Sequence, residues 1–349
     1  MGAELALAPP RDAAMSAVRF ATIADADHAV GVVALVNSLH GLGRTERVTV
    51  LDLGLTAAQR AELAPWCDFV AAPERPRHPW LLVPAACLAA APGAAVVVYL
   101  DSDIIVTAPL DEIIAEARAG RLCAFVDVLA DRWFPDWADR FALDAPLRRQ
   151  PYVNAGFVAL STSLHETLLR RWGERCAELP DDAIRIDAFC LDDPCGLPDQ
   201  DVLNAMLMSE VPPGQLAILP ASEIAQGRDQ LVATRVVDRD TLACRRGGTR
   251  CVLLHAFGAP KPWQSAARRD LPRTAYLVLL RQLLSGPDLA VRTQEPLVQW
   301  LRPGWRGTVA FHAATTSDAV RTRTRGVRQR LGIVSRSAAA RRRSRASGS

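Results

Sequence analysis

Two aspartates one residue apart close a β-branched run in "VVVYLDSDIIV", residues 96–106. A carboxylate at the end of an apolar run is costly unless something neutralises it. In Asp-x-Asp spacing, Asp101 and Asp103 can converge on one hard cation through oxygen ligands. Mg²⁺ or Mn²⁺ suits carboxylates joined by phosphate oxygens, and Mn²⁺ also accepts an imidazole. The plain alternative is structural, with Asp103 capping a turn, as aspartates after strands often do.

A second run supplies what the pair lacks. "VLLHAFGAPKPW", residues 252–263, delivers His255, then Gly258, then Lys261. His255 offers a third ligand, Gly258 lets backbone approach a phosphate closely, and Lys261 brings positive charge to it. The bland reading of a single His here is a core histidine; the Gly and Lys that follow weigh against it.

The elements that must position these groups alternate. "VRFATIA" (18–24) reads as a strand, "HAVGVVALVNSLHGL" (28–42) as an apolar helix on it, and "RVTVLDL" (47–53) as a second strand. Thr56 and Gln59 form a capping-box pattern before "AAQRAEL". A third strand at 67–72, a helix within 80–91 and a fourth strand at 94–100 follow. Next come a helix opened by Pro109, a strand "LCAFVDV", a Trp-, Pro- and Arg-rich loop over 131–150, and a strand "YVNAGFVAL" (152–160). "HETLLRRWGERCAEL" and "PDQDVLNAMLM" read as helices, as does "AYLVLLRQLL" within the otherwise irregular 265–312. This alternation predicts an α/β fold with a doubly wound, mostly parallel sheet flanked by helices. Ligands of such sheets collect beyond the carboxyl ends of the strands, where Asp101 and Asp103 lie.

"YLDSDIIV", "YVNAGFVAL", "PDQDVLN" and "HAFGAPKPW", in this order and spacing, resemble glycosyltransferase family 8 from about Ala21 to Trp263. The resemblance implies a GT-A fold in a single catalytic domain, a UDP-sugar donor, Mn²⁺ (or Mg²⁺), and hexose transfer with retention of configuration. It implies that Asp101, Asp103 and His255 hold the metal, and that Gly258 and Lys261 hold the diphosphate. Ser102 falls within the donor-binding motif. Asn154, Ala155 and Gly156 match the strand lining the sugar pocket; a bulge or turn is the structural reading of "NAG". Asp199 matches a residue gripping the donor sugar and Gln200 the side chain nearest the anomeric carbon; both also suit a helix start. Thr22 and Asp25 match positions contacting ribose and nucleobase.

Two features depart from the family pattern. "DADHAVG" has His28 in the neighbourhood where an aromatic residue is usual, and "PWLLVPAACLAAAPG" lacks the usual basic residue before the Asp-x-Asp strand, so that either Arg75 or Arg77 substitutes or donor binding is weakened or altered. Retention admits double displacement or same-face attack. No Asp or Glu in "LPDQD" is a clear nucleophile and an amide oxygen is a weak one, which favours same-face attack with Gln200 stabilising the oxocarbenium-like centre.

Bulk properties set the remaining limits. The chain has 349 residues, half of them apolar, enough for a large core. Its eight cysteines form no CxxC pair and read mainly as reduced core thiols, with Cys190 and Cys195 bracketing "LDDP". The first residues lack a basic stretch followed by an apolar one, and no apolar run reaches membrane-spanning length, which predicts a cytoplasmic chain. The net charge of +3 conceals an asymmetry: ten arginines and no acid lie between Ala319 and Ser349. Setting those ten aside leaves 31 basic against 38 acidic residues, so the body carries about −7. The expected organisation is a loose segment 1–16, the catalytic domain 17–316 (nucleotide part to about 127, sugar and acceptor part from about 128) and a basic, disordered tail 317–349. The tail suits reversible attachment to an anionic membrane surface on the cytoplasmic face, with a solvated tail that aids solubility as the plain alternative; low aromatic content and an acidic body argue against nucleic acid. The acceptor is a saccharide, a lipid-linked sugar or a protein. Rival classes are a metal-dependent nucleotidyltransferase, which should show a basic Gly-rich loop near the N-terminus, and an inactive nucleotide-sugar-binding module.

Overall fold

The computed structural model describes residues 17–72, 78–180, 191–264 and 274–313. The first strands are β1 (Val18–Ala24), β2 (Val48–Asp52), β3 (Cys67–Ala71), β4 (Val96–Leu100), β5 (Ile104–Val106), β6 (Leu122–Phe125) and β7 (Phe157–Ser161). After them come β8 (Leu216–Leu219), β9 (Ile224–Gln226), β10 (Thr234–Val236), β11 (Cys244–Arg246), β12 (Thr249–Cys251) and β13 (Leu253–His255). The helices are α1 (Ala29–Gly41), α2 (Ala57–Leu63), α3 (Val83–Ala90), α4 (Asp111–Arg118) and α5 (Trp137–Arg140). They continue with α6 (Thr162–Ala177), α7 (Pro198–Ser209), α8 (Gly227–Ala233) and α9 (Ala275–Ser285), and residues 304–313 are also helical.

Seven strands form the main sheet in the order β3-β2-β1-β4-β7-β6-β8. Its pairings are parallel except at β7, which runs antiparallel to both β4 and β6. Side chains along β4 alternate between two cores, as a strand buried on both faces must. Val96, Val98 and Leu100 pack with α1 and α9, while Val97 and Tyr99 pack with α3, α6 and α7. The sheet is thus doubly wound and largely parallel, as the alternation of elements predicts. The capping box forms: Gln59 N donates to Thr56 Oγ1 at 3.2 Å and Thr56 N to Gln59 Oε1 at 2.9 Å.

Three expectations need correction. "YVNAGFVAL" is not one strand: Val153 makes a lone bridge to Val126, the chain turns at Ala155–Gly156, and β7 begins at Phe157. Side chains take the amides a ladder would use, since Ala155 N donates to Gln200 Oε1 and Gly156 N to Asn154 Oδ1. The helix after Pro109 starts at Asp111, where two acids occupy the first turn and favour its positive end. The 131–150 excursion holds the short α5, whose Trp137 is fully buried and donates to the Pro194 carbonyl.

Two smaller sheets complete the architecture. β13 lies between β5, antiparallel to it, and β9, parallel to it. β10, β11 and β12 form an antiparallel sheet that leads into β13. The stretch from 274 closes one flank. Asn37 of α1 ties it down, donating to the Leu283 and Val291 carbonyls and accepting from Val291 N. Seven cysteines are buried free thiols; Cys190 lies outside the described residues.

Candidate active site

β4 ends at Leu100, opposite Phe157, and the next amide, Asp101 N, donates to the Gly156 carbonyl at 2.8 Å. The antiparallel β7 thereby sets Asp101 beside Gly156. The chain then turns, with Ile104 N bonded to Asp101 O, and enters β5. β5 pairs with β13 so that Ile104 faces His255, and Ala256 N donates to Asp103 O. His255 Nε2 lies 3.3 Å from Asp101 Oδ2 and 3.2 Å from Asp103 Oδ1. Two sheets have brought the three predicted ligands together.

The trio suits a divalent cation. Its ligand atoms all lie within 4.8 Å of one another, two hard carboxylates with one imidazole. Asp103 and His255 are buried, Asp101 is about one-third exposed, and Asp103 Oδ1 is buried without a hydrogen-bond partner. Gly156 makes the space: a Cβ there would sit 2.5 Å from Asp101 Oδ2, 2.7 Å from His255 Cε1 and 2.9 Å from Asn154 Oδ1. From the other side Gly31 of α1 lets the turn settle, because a Cβ would meet the Ser102 carbonyl at 2.3 Å.

Charge is balanced within this cluster. Burial works against ionisation of Asp103, but Lys261, whose Nζ contacts Asp103 Oδ2, and His255 hold its carboxyl well below the usual range. Burial likewise opposes a charge on His255, and the Asp103 and Asp101 carboxylates overcome it, raising the imidazole pKa to about 9. Lys261 is delivered by a turn through Gly258, whose φ of +90° favours glycine, and a cis Ala259–Pro260 bond. Trp263 anchors that turn, its Nε1 donating to Asp27 O at 2.8 Å.

The residues expected to hold a donor sugar adjoin the trio around Gly156. Asn154 Nδ2 donates to Asp127 Oδ2 at 2.9 Å and to Gln200 Oε1 at 3.2 Å. Ala155 N donates to the same Gln200 oxygen at 2.9 Å. Asp199 opens α7 beside them; burial first, then the nearby Asp101 charge, pushes its carboxyl well above the ordinary range. Tyr99 donates to Asp101 Oδ1 at 2.7 Å.

Asp25 and Thr22 stand apart from this cluster. Asp25 lines a cavity of about 580 Å³ at the carboxyl ends of β1–β3, with Ala26, Asp27, Asp52, Leu53, Gly54 and Ala72. Its carboxylate accepts from His28 N and lies 2.7 Å from His28 Nδ1, which holds its pKa down. Thr22 is fully buried within β1 and does not line the cavity; its hydroxyl has no partner. Arg75 and Arg77 lie outside the described residues.

Sequence reasoning misses the groups that fix α7. Asp201 is fully buried and receives both Nε and Nη2 of Arg132 at 2.6 and 2.7 Å, the Tyr152 hydroxyl at 2.6 Å and Leu197 N at 2.8 Å. Asp127 is missed as well, although its place after an apolar strand repeats the signal that marks Asp101.

No protein-family model and no curated protein match the chain. Among solved structures it is similar to the galactosyltransferase LgtC in complex with donor and acceptor sugar analogues, at 18% identity and TM-score 0.48, over 77% of this chain and 98% of that one. It is also similar to the apo structure of the bifunctional glycosyltransferase WbbM, at 14% identity and TM-score 0.49, over 76% of this chain and 50% of that one.

Proposed function

We propose that the protein is a metal-dependent glycosyltransferase that moves a hexose from a UDP-sugar to an acceptor with retention of configuration. One observation carries the reading: the Asp101–Asp103–His255 trio, two of its members buried, is continuous, around Gly156, with the polar wall of Asn154, Gln200 and Asp127. When bound, Mn²⁺ or Mg²⁺ on this trio supplies Lewis-acid stabilisation to the departing diphosphate.

The chain's own residues do the rest. Lys261 carries charge to the diphosphate, and the Gly258 turn brings backbone to it. Asp25 and its cavity receive the nucleoside. Asn154 and Asp199 hold sugar hydroxyls; a carboxyl with a raised pKa, such as that of Asp199, can donate as well as accept. Gln200 Oε1 already accepts two hydrogen bonds, from Ala155 N and Asn154 Nδ2. Its lone pairs are engaged, which weakens it as a nucleophile and so supports same-face attack over a glycosyl–Gln intermediate. The excursion that follows β6, with its cavity of about 450 Å³ lined by Val128–Phe134 and Leu191, offers an acceptor surface.

Among the described residues no helix is long and apolar enough to cross a membrane. The ten arginines beyond Asp318 lie outside the described residues; their charge suits reversible attachment to anionic lipid, bringing the site to a membrane-borne acceptor.

A screen of UDP-sugars for Mn²⁺-dependent donor hydrolysis tests the proposal. Hydrolysis of at least one donor, abolished by EDTA and by Asp103→Asn, is the expected result. Full activity in excess EDTA would overturn it.

A further inference from the structure

The three-stranded sheet before β13 carries charge that glycosyl transfer does not use. In its register Arg235 of β10 stands opposite Arg245 of β11, and Arg245 opposite Arg250 of β12. The three exposed arginines therefore form a row across one face. Directly opposed side chains have Cβ atoms about 4.5–5.5 Å apart, and like charges so placed destabilise a sheet. No acid compensates them: among the described residues the Arg235 and Arg250 side chains have no ion-pair or hydrogen-bond partner, and the Arg245 side chain donates only to Gly248 O in its own hairpin. Asp238 and Asp240 lie in the β10–β11 connection, where Asp238 accepts from Asp240 N.

The opposite face does the anchoring. Thr234, Cys244 and Cys251 are buried there, and Arg246 donates to the Ala221 and Ile224 carbonyls. The row thus weakens the sheet without returning anything to the chain that carries it.

We propose that this arginine face docks on an anionic phospholipid surface. Guanidinium groups pair phosphate oxygens bidentately, and a row on an open sheet face meets a plane of headgroups better than it encloses a small ligand. Apolar side chains suited to the headgroup boundary stand nearby: Val237 (60% exposed) extends β10 on the same side, and Val232 (49% exposed) precedes it on α8. β12 runs into the start of β13, whose far end bears His255. The inference is independent of the transfer chemistry and of the C-terminal arginines.

Sedimentation of the full chain with vesicles tests it. The chain should bind phosphatidylglycerol-containing vesicles and not pure phosphatidylcholine ones. Arg235→Ser, Arg245→Ser and Arg250→Ser combined, with the C-terminal arginines left in place, should weaken binding about tenfold or more. The melting temperature should hold or rise, because a like-charge row has been removed. Undiminished vesicle binding by the triple variant would overturn the proposal. So would equal binding of the parent to phosphatidylcholine, tighter binding to duplex DNA than to anionic vesicles at equal salt, or a variant that loses its melting temperature.

Discussion

Asn204 of α7 reads the backbone of Val153 with both ends of its amide: Nδ2 donates to the Val153 carbonyl at 2.8 Å, and Oδ1 accepts from Val153 N at 2.7 Å. With Gln200 and Asp201 it makes one helix face a template for residues 152–155, where a strand was expected. Asn204→Leu leaves a buried carbonyl and amide unpaired and should cost about 2–4 kcal/mol of stability. Denaturant unfolding measures it; a cost near zero would show that the docking is incidental.

Gly156→Ala should damage the metal centre more than the fold. The added carbon meets Asp101 Oδ2 and the His255 ring, so the ligands must spread. Mn²⁺ affinity should fall roughly tenfold or more, in the range usual for disturbed ligand orientation. Calorimetric titration alongside a melting curve separates the two effects.

Metal uptake should expel a proton. In the metal-free protein the His255 pKa is raised to about 9, so the imidazole is protonated at neutral pH, whereas a ligand must be neutral. Mn²⁺ affinity should therefore rise with pH by up to about tenfold per unit and level off above the imidazole pKa. Calorimetry in two buffers of different ionisation enthalpy reads the proton directly, and no buffer dependence at neutral pH would contradict it.

Lys261→Ala should divide binding from turnover. The ammonium contacts the Asp103 carboxylate, so its removal should tighten Mn²⁺ binding in the absence of donor. It also removes charge needed as the diphosphate departs, so kcat should fall and not only donor affinity. A change in the Michaelis constant alone would make Lys261 a ground-state binder.

Gln200→Ala should slow transfer strongly while donor binding persists. Mass spectrometry of the reacting wild type should find no sugar on Gln200 or Asp199. A trapped glycosyl adduct would replace same-face attack with double displacement.

The sequence shows much of this site because its chemistry is local or paired with a local pattern. Asp101 and Asp103 share one turn, and His255, Gly258 and Lys261 lie close together along the end of β13 and the turn after it; only their meeting needed the β5–β13 register. The capping box at Thr56 is legible because all its partners lie within one helical turn. Arg132 and Asp201 are opaque for the opposite reason: a buried ion pair between a loop and a helix leaves no spacing to detect. Gly31 is equally silent, since its worth is the Ser102 carbonyl it lets in. The strand reading fails just after Asn154, whose amide still donates to the Phe125 carbonyl of β6, because the next amide, Ala155 N, is taken by Gln200 Oε1 of α7 instead of a neighbouring strand.

The late arrival of β13 has a consequence for synthesis on the ribosome. Strands β1–β4 and both aspartates of the cluster emerge long before His255 and Lys261. Until β13 threads between β5 and β9, two carboxylates face each other without the cations that neutralise them. An unfinished chain therefore has neither a complete metal cradle nor a reason to close the turn around it. Assembly of the cluster thus waits on the most non-local strand pairing among the described residues, that of β5 with β13.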